Sequence, residues 1–140
     1  MTATRRNGTY LLFLRFTERR DVTAGSLGTL TVAAGDYCYV GSAMNGLDSR
    51  IERHFRKEKT MRWHIDRLTV IADAMEAYVS MTRKECELST IAEECECVPV
   101  FKGFGSSDCG CVTHLFRVND ETKLRLLNLS AVTPFPSKTV

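Results

Sequence analysis

The feature that most constrains the fold is a change of periodicity between residues 37 and 58. Tyr37-Cys38-Tyr39-Val40 has the aromatic and β-branched content of a strand, and Gly41-Ser42 ends it. From residue 47 onward, apolar residues recur at helical spacing. The segment therefore predicts a strand that leads into a helix, and it places Arg50 and His54 one turn apart just after the junction.

The remaining pattern predicts an α/β chain of the α+β class, a small sandwich whose central, mostly antiparallel sheet is flanked by helices. Strands are expected near residues 10–16, 37–41, 70–80 and 112–118, and helices are expected to begin near residues 47 and 83. The turn residues Ala34-Gly35-Asp36 predict a hairpin between Leu27–Val32 and Tyr37–Val40. We expect one domain over residues 1–128 and a C-terminal tail over residues 129–140.

Composition limits the class of protein. The chain has 140 residues, of which 44% are hydrophobic and 26% charged, as is typical of one globular domain. Arg15 ends the first apolar run early, so we expect no signal peptide, and no apolar stretch is long enough for a membrane span. We therefore expect a cytoplasmic protein with no membrane contact, whose six cysteines are reduced.

Basic residues cluster in and after the helix predicted from residue 47. Between residues 50 and 67 there are seven arginines and lysines against three acidic residues, a local net charge of +4. Such a patch can neutralise phosphates, and aromatic side chains within it can stack on bases, although a solvated helix face is the alternative. The candidate nucleic-acid-binding residues are Arg53, Arg56, Lys57, Lys59, Arg62, Trp63 and His64.

Two tripeptides and the residues after them carry a family resemblance. Gly8-Thr9-Tyr10 and Tyr39-Val40-Gly41, followed by Arg50 and His54, resemble the paired tripeptides of the GIY-YIG nuclease superfamily. Threonine stands where isoleucine is usual, and one more residue than usual separates Gly41 from Arg50. The run Phe104-Gly105-Ser106-Ser107-Asp108-Cys109 is similar to that of an uncharacterised GIY-YIG-like branch. Trp63-His64-Ile65-Asp66 and Glu85-Cys86-Glu87-Leu88 extend this likeness over most of residues 8–118.

The resemblance implies a GIY-YIG-like fold and a metal-dependent endonuclease that hydrolyses nucleic-acid phosphodiester bonds, with DNA favoured over RNA. The implied catalytic residues are Tyr10, Tyr39, Arg50, His54 and Glu87. Tyr10 would activate water, Tyr39 and Arg50 would position the phosphate, and His54 would assist in proton transfer. Glu87 would bind Mg²⁺ or Mn²⁺, and Glu85 is the competing candidate.

A non-catalytic nucleic-acid-binding module of the same fold is the first alternative. The imperfect first tripeptide and the lack of a late asparagine, which the family tends to use, permit it. Zinc would stabilise such a module if Cys109, Cys111 and His114, together with Cys86 or the Cys95/Cys97 pair, supplied four ligands. The oligomeric state is left open.

A cysteine-dependent enzyme is the second alternative. Cys109 would be the nucleophile, with His114 or His64 as the base and Asp108 or Asp66 as the orienting carboxylate. Both alternatives therefore point to a possible additional site, which consists of Asp108, Cys109, Cys111 and His114.

Overall fold

The structure, a computed structural model, describes residues 7–43, 46–105 and 111–135. The strands are β1 (Gly8–Phe16), β2 (Arg20–Thr23), β3 (Thr29–Val32), β4 (Gly35–Ala43), β5 (Ala74–Ser80), β6 (Val98–Pro99), β7 (Leu115–Val118) and β8 (Thr133–Pro134). The helices are α1 (Leu47–Phe55), α2 (Asp66–Thr69), α3 (Glu85–Glu94) and α4 (Asp120–Ser130), and Gly25–Leu27 form a 3-10 turn. Across these ranges no helix has both the length and the apolar character needed to cross a membrane.

Six strands form one sheet in the order β6-β7-β4-β1-β5-β8, and each neighbouring pair is antiparallel. Side chains alternate between the two faces of a strand. In β1, Leu12 and Leu14 therefore pack in an apolar cluster with α1 and α2, whereas Leu11 and Phe13 pack in a second cluster with α3 and α4. The predicted α+β fold, with helices flanking an antiparallel sheet, is confirmed.

The predicted hairpin between Leu27–Val32 and Tyr37–Val40 is wrong. Thr29–Val32 pairs instead with Arg20–Thr23 in a separate two-stranded sheet. The reason is that both edges of β4 are already occupied, one by β1 and the other by β7. Residues 17–34 therefore form an excursion between the two strands that carry the tripeptides.

Several element boundaries differ from the predicted ones. β5 begins at Ala74 rather than at residue 70, because the chain first forms α2 and then turns. β7 begins at Leu115 rather than at residue 112. At the other end, α4 continues to Ser130, and Thr133–Pro134 pairs with β5, so the folded unit includes residues that the sequence assigned to the tail. Residues 136–140 of that tail lie outside the described residues.

Buried Asp66 joins α2 to α1. Its carboxylate is 0% exposed and accepts hydrogen bonds from Nη1 and Nη2 of Arg53 at 2.8 and 3.0 Å. The backbone N–H groups of Arg62 and Trp63 donate to Oδ2 at 2.8 and 2.9 Å. Burial alone raises the pKa of Asp66, but the hydrogen bonds from Arg53 and from the two N–H groups outweigh it and lower the pKa to about 2. The ionised carboxylate therefore fastens the segment between α1 and α2 to Arg53 of α1.

We predict that Asp66→Asn lowers the free energy of unfolding by about 3 kcal/mol at pH 7, because Arg53 loses its counter-charge in a partly buried position. The folded-state pKa is depressed, so this contribution is complete above about pH 4 and declines as the pH falls towards 2. Urea unfolding followed by circular dichroism, from pH 7 down to pH 2, measures both effects.

Asp21→Asn is the matched control, because Asp21 pairs with Arg19 at 3.4 Å on the exposed surface. It should change the unfolding free energy by less than about 0.5 kcal/mol. Equal losses in the two variants would contradict the assigned role of Asp66.

Candidate active site

A cavity of about 230 Å³ lies between the paired strands β1 and β4, the helix α1 and the first residue of α3. Its lining comprises Tyr10, Tyr39, Ser42, Arg50, His54, Trp63, Ile65, Glu85, Gly105 and His114. The structure thus brings together four of the five residues predicted to be catalytic, namely both tyrosines, Arg50 and His54.

The register of the sheet places the two tyrosines side by side. Tyr10 lies opposite Gly41, and Tyr39 is two residues from Gly41 on the same strand face. The ring centroids of Tyr10 and Tyr39 are 6.4 Å apart. A Cβ at Gly41 would overlap the Tyr10 ring, so the glycine of the second tripeptide makes room for the tyrosine of the first.

His54 forms a buried hydrogen bond with Tyr10, with 2.7 Å between Nε2 and the phenol oxygen. Burial, followed by the charge of Lys59, lowers the pKa of His54 to about 3. Within the described residues, Nδ1 of His54 has no hydrogen-bond partner. The imidazole is therefore neutral at pH 7, and in the tautomer protonated on Nδ1 it accepts the Tyr10 proton through Nε2.

Neither phenol is ionised at neutral pH. Burial, with a further contribution from Tyr39, raises the pKa of Tyr10 well above 10, and Arg50 offsets this only in part. Burial and Glu85 likewise raise the pKa of Tyr39. Both phenols therefore stay protonated in the free protein, and Tyr10 can donate its proton to the hydrogen bond with His54.

Trp63 holds Arg50 in the cavity wall. The guanidinium carbon of Arg50 lies 4.4 Å from the centroid of the Trp63 ring, and Nη1 donates to the carbonyl of Ser42 at 3.2 Å. The guanidinium of Arg53 lies 4.5 Å from the same ring. A cation over an aromatic face is stabilised by about 0.5–2 kcal/mol. Trp63, predicted from the sequence to contact nucleic acid, thus positions a cavity arginine.

Three of the predicted nucleic-acid-binding cations form hydrogen bonds inside the protein. Arg53 pairs with Asp66, as described above. Lys57 Nζ donates to two backbone carbonyls in and after α2, at 2.8 and 2.7 Å. Lys59 Nζ donates to two carbonyls of α1 and to Oγ1 of Thr69, and burial lowers the pKa of Lys59 to about 8. These cations anchor the segment from α1 to α2.

The other members of that predicted set have different surroundings. Arg56 and Arg62 are exposed. The ring of His64 packs against buried Phe104, with the centroids 5.9 Å apart. The exposed part of the predicted basic patch is therefore smaller than the sequence implies.

The structure places the carboxylate of Glu85 in the cavity and that of Glu87 outside the lining. Glu87 accepts the backbone N–H of Lys84 at 3.2 Å and pairs with Arg83 at 2.8 Å; these two interactions lower the pKa of Glu87. Glu85 is the first residue of α3, and its Oε2 lies 3.4 Å from Nδ1 of His114. Of the two glutamates considered from the sequence, the less favoured one is in the site.

The possible additional site is described in part. Ligand atoms of Cys86, Cys111 and His114 lie within 4.8 Å of one another. Asp108 and Cys109 lie outside the described residues. Cys95 and Cys97, the alternative zinc ligands, are buried in the apolar cluster of α3 and α4, and burial raises the pKa of Cys97 to about 11.

Sequence reasoning missed three lining residues, Ser42, Ile65 and Gly105. Gly105 has a φ of +72°, and a Cβ there would lie 2.9 Å from the Tyr39 ring. A glycine inside a motif that also carries the family resemblance is the signal that could have identified it.

The family model described as "Domain of unknown function DUF123" matches residues 9–134. The chain belongs to this family. The match includes all of the residues that line the cavity of this DUF123 domain. No curated protein and no solved structure matches the chain.

In this DUF123 domain we predict that His54 stays neutral from pH 7 to about pH 4, because its pKa is about 3 in the folded state. ¹⁵N-detected imidazole shifts in the folded protein measure this, and the same histidine in urea should titrate near pH 6.5, roughly the unperturbed value. The contribution of His54 to the free energy of unfolding is therefore fully present above about pH 6.5 and is lost as the pH falls towards 3. An imidazolium signal assigned to His54 in the folded protein at pH 6 would contradict the prediction.

A second prediction concerns the contact between the tripeptides. Gly41→Ala should lower the free energy of unfolding by about 2 kcal/mol, because the new methyl group overlaps the Tyr10 ring. Near-ultraviolet circular dichroism should show a changed tyrosine environment. Ser42→Ala, one residue away, should cost less than about 0.5 kcal/mol. The prediction fails if the two variants are equally stable.

Proposed function

We propose that the DUF123 domain is a metal-dependent endonuclease that hydrolyses nucleic-acid phosphodiester bonds in this cavity. One observation carries the proposal: Tyr10 is hydrogen bonded to His54 at 2.7 Å in a cavity that also contains Arg50 and Glu85. A proton acceptor, a cation for phosphate and a carboxylate for metal are the groups that this reaction requires. The resemblance of both tripeptides to those of the GIY-YIG nucleases supports the same reaction.

Glu85 would hold the metal in place of Glu87. Mg²⁺ and Mn²⁺ take oxygen ligands, and one or two carboxylates with water and substrate phosphate often suffice for Mg²⁺. The side chain of Glu85 is 29% exposed and lines a polar cavity, which fits this need, whereas Glu87 already pairs with Arg83. When bound, the cation would polarise a phosphoryl oxygen and neutralise charge that develops on the phosphate.

Arg50 and Tyr39 would bind the scissile phosphate. A guanidinium carries five N–H donors, and the bond to Ser42 uses one of them, so the group can still bind two phosphate oxygens. Stacking on Trp63 restricts its orientation before substrate arrives. Tyr39, whose raised pKa keeps its hydroxyl protonated, can donate a further hydrogen bond.

Tyr10 and His54 would move the proton. Water transfers a proton to the Tyr10 oxygen while Tyr10 passes its own proton to Nε2 of His54, and the water oxygen forms the new bond to phosphorus. The bond from phosphorus to the leaving oxygen breaks, that oxygen takes up a proton from solvent, and the imidazolium of His54 then releases its proton to solvent. A bound phosphate favours this transfer, because its negative charge raises the pKa of the nearby imidazole.

The substrate that we propose is DNA rather than RNA, held in part by the exposed cations Arg56 and Arg62. A cytoplasmic location is also part of the proposal. It is supported by the buried thiols of Cys38, Cys95 and Cys97, which form no disulfide within the described part of the chain.

The test is cleavage of labelled single-stranded, duplex, flap and four-way-junction DNA, and of RNA, with Mg²⁺ or Mn²⁺ added or omitted. We predict metal-dependent cleavage that Glu85→Gln reduces about 100-fold or more, because the variant loses its charged metal ligand. Omitting the added metal is preferable to chelation, which would also remove other bound ions.

Glu87→Gln is the matched control on the same helix. It should retain cleavage within about threefold, because Glu87 caps α3 and lies outside the cavity lining. Loss of activity in Glu87→Gln alone would reverse the assignment of the two glutamates. Salt-sensitive binding without cleavage would instead favour the non-catalytic binding module, which the raised pKa of both tyrosines also favours.

A further inference from the structure

A second group of side chains, next to the cavity, has the composition of a zinc centre. Cys86, Cys111 and His114 each offer one ligand atom, and these atoms lie within 4.8 Å of one another. Zinc binds thiolate sulfur at about 2.3 Å and imidazole nitrogen at about 2.0 Å, so ligand atoms around a tetrahedral ion are roughly 3.5–3.8 Å apart. Only a small contraction separates the observed group from that arrangement.

We propose that Cys86, Cys111 and His114 bind a zinc ion that fastens the start of α3 to the segment entering β7. Two thiolates and an imidazole are soft and borderline ligands, which select zinc over Mg²⁺. The site is distinct from the proposed Mg²⁺ ligand Glu85, and it goes beyond the proposed function, because zinc would bind here whether or not the domain cleaves nucleic acid.

The positions of the three residues show what the ion would connect. Cys86 is the second residue of α3 and is exposed, whereas His114 is fully buried, so the group runs from the surface towards the sheet. The backbone of His114 donates to Phe104 and accepts from Val40 of β4, both at 2.8 Å. A metal bound by these residues would therefore couple α3 to β4, the strand that carries Tyr39.

Glu85 contacts one of the proposed zinc ligands, His114, and both residues line the cavity. Its Oε2 is 3.4 Å from Nδ1 of His114, and it precedes Cys86 directly in the chain. Carboxylates beside a ligating histidine commonly orient the imidazole and strengthen metal binding. The zinc ion would thus fix both Cys86, the residue after Glu85, and the histidine beside Glu85, and so set the position of the cavity carboxylate.

Three protein ligands leave one tetrahedral position for a fourth group. Water commonly occupies this position where the protein supplies three ligands. The alternative pair, Cys95 and Cys97, is buried among apolar side chains of the α3 and α4 cluster. The variants below separate these possibilities.

The experiment measures metal content and cobalt absorption in the whole chain, purified from zinc-supplemented cells and dialysed. We expect about one zinc per chain, and after exchange we expect the near-ultraviolet charge-transfer band of thiolate-bound Co²⁺. Cys86→Ser and Cys111→Ser should each weaken that band and reduce zinc affinity at least about tenfold. Cys95→Ala, a matched cysteine control, should leave both unchanged.

Wild-type protein with less than about a tenth of a zinc per chain and no thiolate–cobalt band would overturn the proposal. Full zinc content in both Cys86→Ser and Cys111→Ser would overturn it as well. If these variants do not fold by circular dichroism, the wild-type spectrum decides by itself. Because none of these readouts is an activity, failure of the nuclease proposal would leave the result interpretable.

Discussion

The antiparallel pairing of β1 with β4 is the constraint on which the rest of this structure depends. It extends over all nine residues of each strand, from Gly8 opposite Ala43 to Phe16 opposite Gly35. This pairing makes β1 a central strand, buried on both faces, and so requires helices on both sides of the sheet. A slip of one residue would send the side chains of one strand to the opposite face and would separate Tyr10 from Tyr39. The stability of the fold and the geometry of the cavity therefore have one common cause.

Burial sets the ionisation of the cavity, and it acts on each group in the direction of the neutral form. It keeps Tyr10 and Tyr39 protonated and His54 unprotonated, and Arg50 and Glu85 line the same cavity. This arrangement supports the proposal that an anionic group and a metal ion bind in the cavity. The same burial explains why the hydrogen bond between Tyr10 and His54 can exist without either group being charged.

Three cations in and after α1 form hydrogen bonds that stabilise the fold. Asp66 is fully buried and needs compensation, which Arg53 and two backbone N–H groups provide. Lys57 and Lys59 donate to backbone carbonyls in α1, in α2 and just after α2. A local excess of positive charge in a sequence is therefore an incomplete guide to a binding surface, because part of it is used internally.

The sequence by itself determined the elements whose signal is local. The apolar run of β1, the strand-to-helix change at Gly41-Ser42 and the helical period from residue 47 correctly indicated the strands, the helix and the α+β class. The resemblance of the tripeptides also placed Tyr10 and Tyr39 on neighbouring strands, and Tyr10 does lie opposite Gly41, two residues from Tyr39. The assignments of the strands and of the helix each use residues a few positions apart.

Only the tertiary structure decided the pairing of β3, the choice of cavity glutamate and the grouping of the cysteines. These outcomes depend on which parts of the chain compete for the same neighbour. β3 pairs with β2 because β4 has no free edge. Both glutamates lie in the first turn of α3. Glu85 lines the cavity, whereas Glu87 accepts the N–H of Lys84 and so caps the helix. Cys86 meets Cys111 and His114 because α3 packs beside the segment that leads into β7. No periodicity encodes such choices, since each one is settled by residues far apart in the chain.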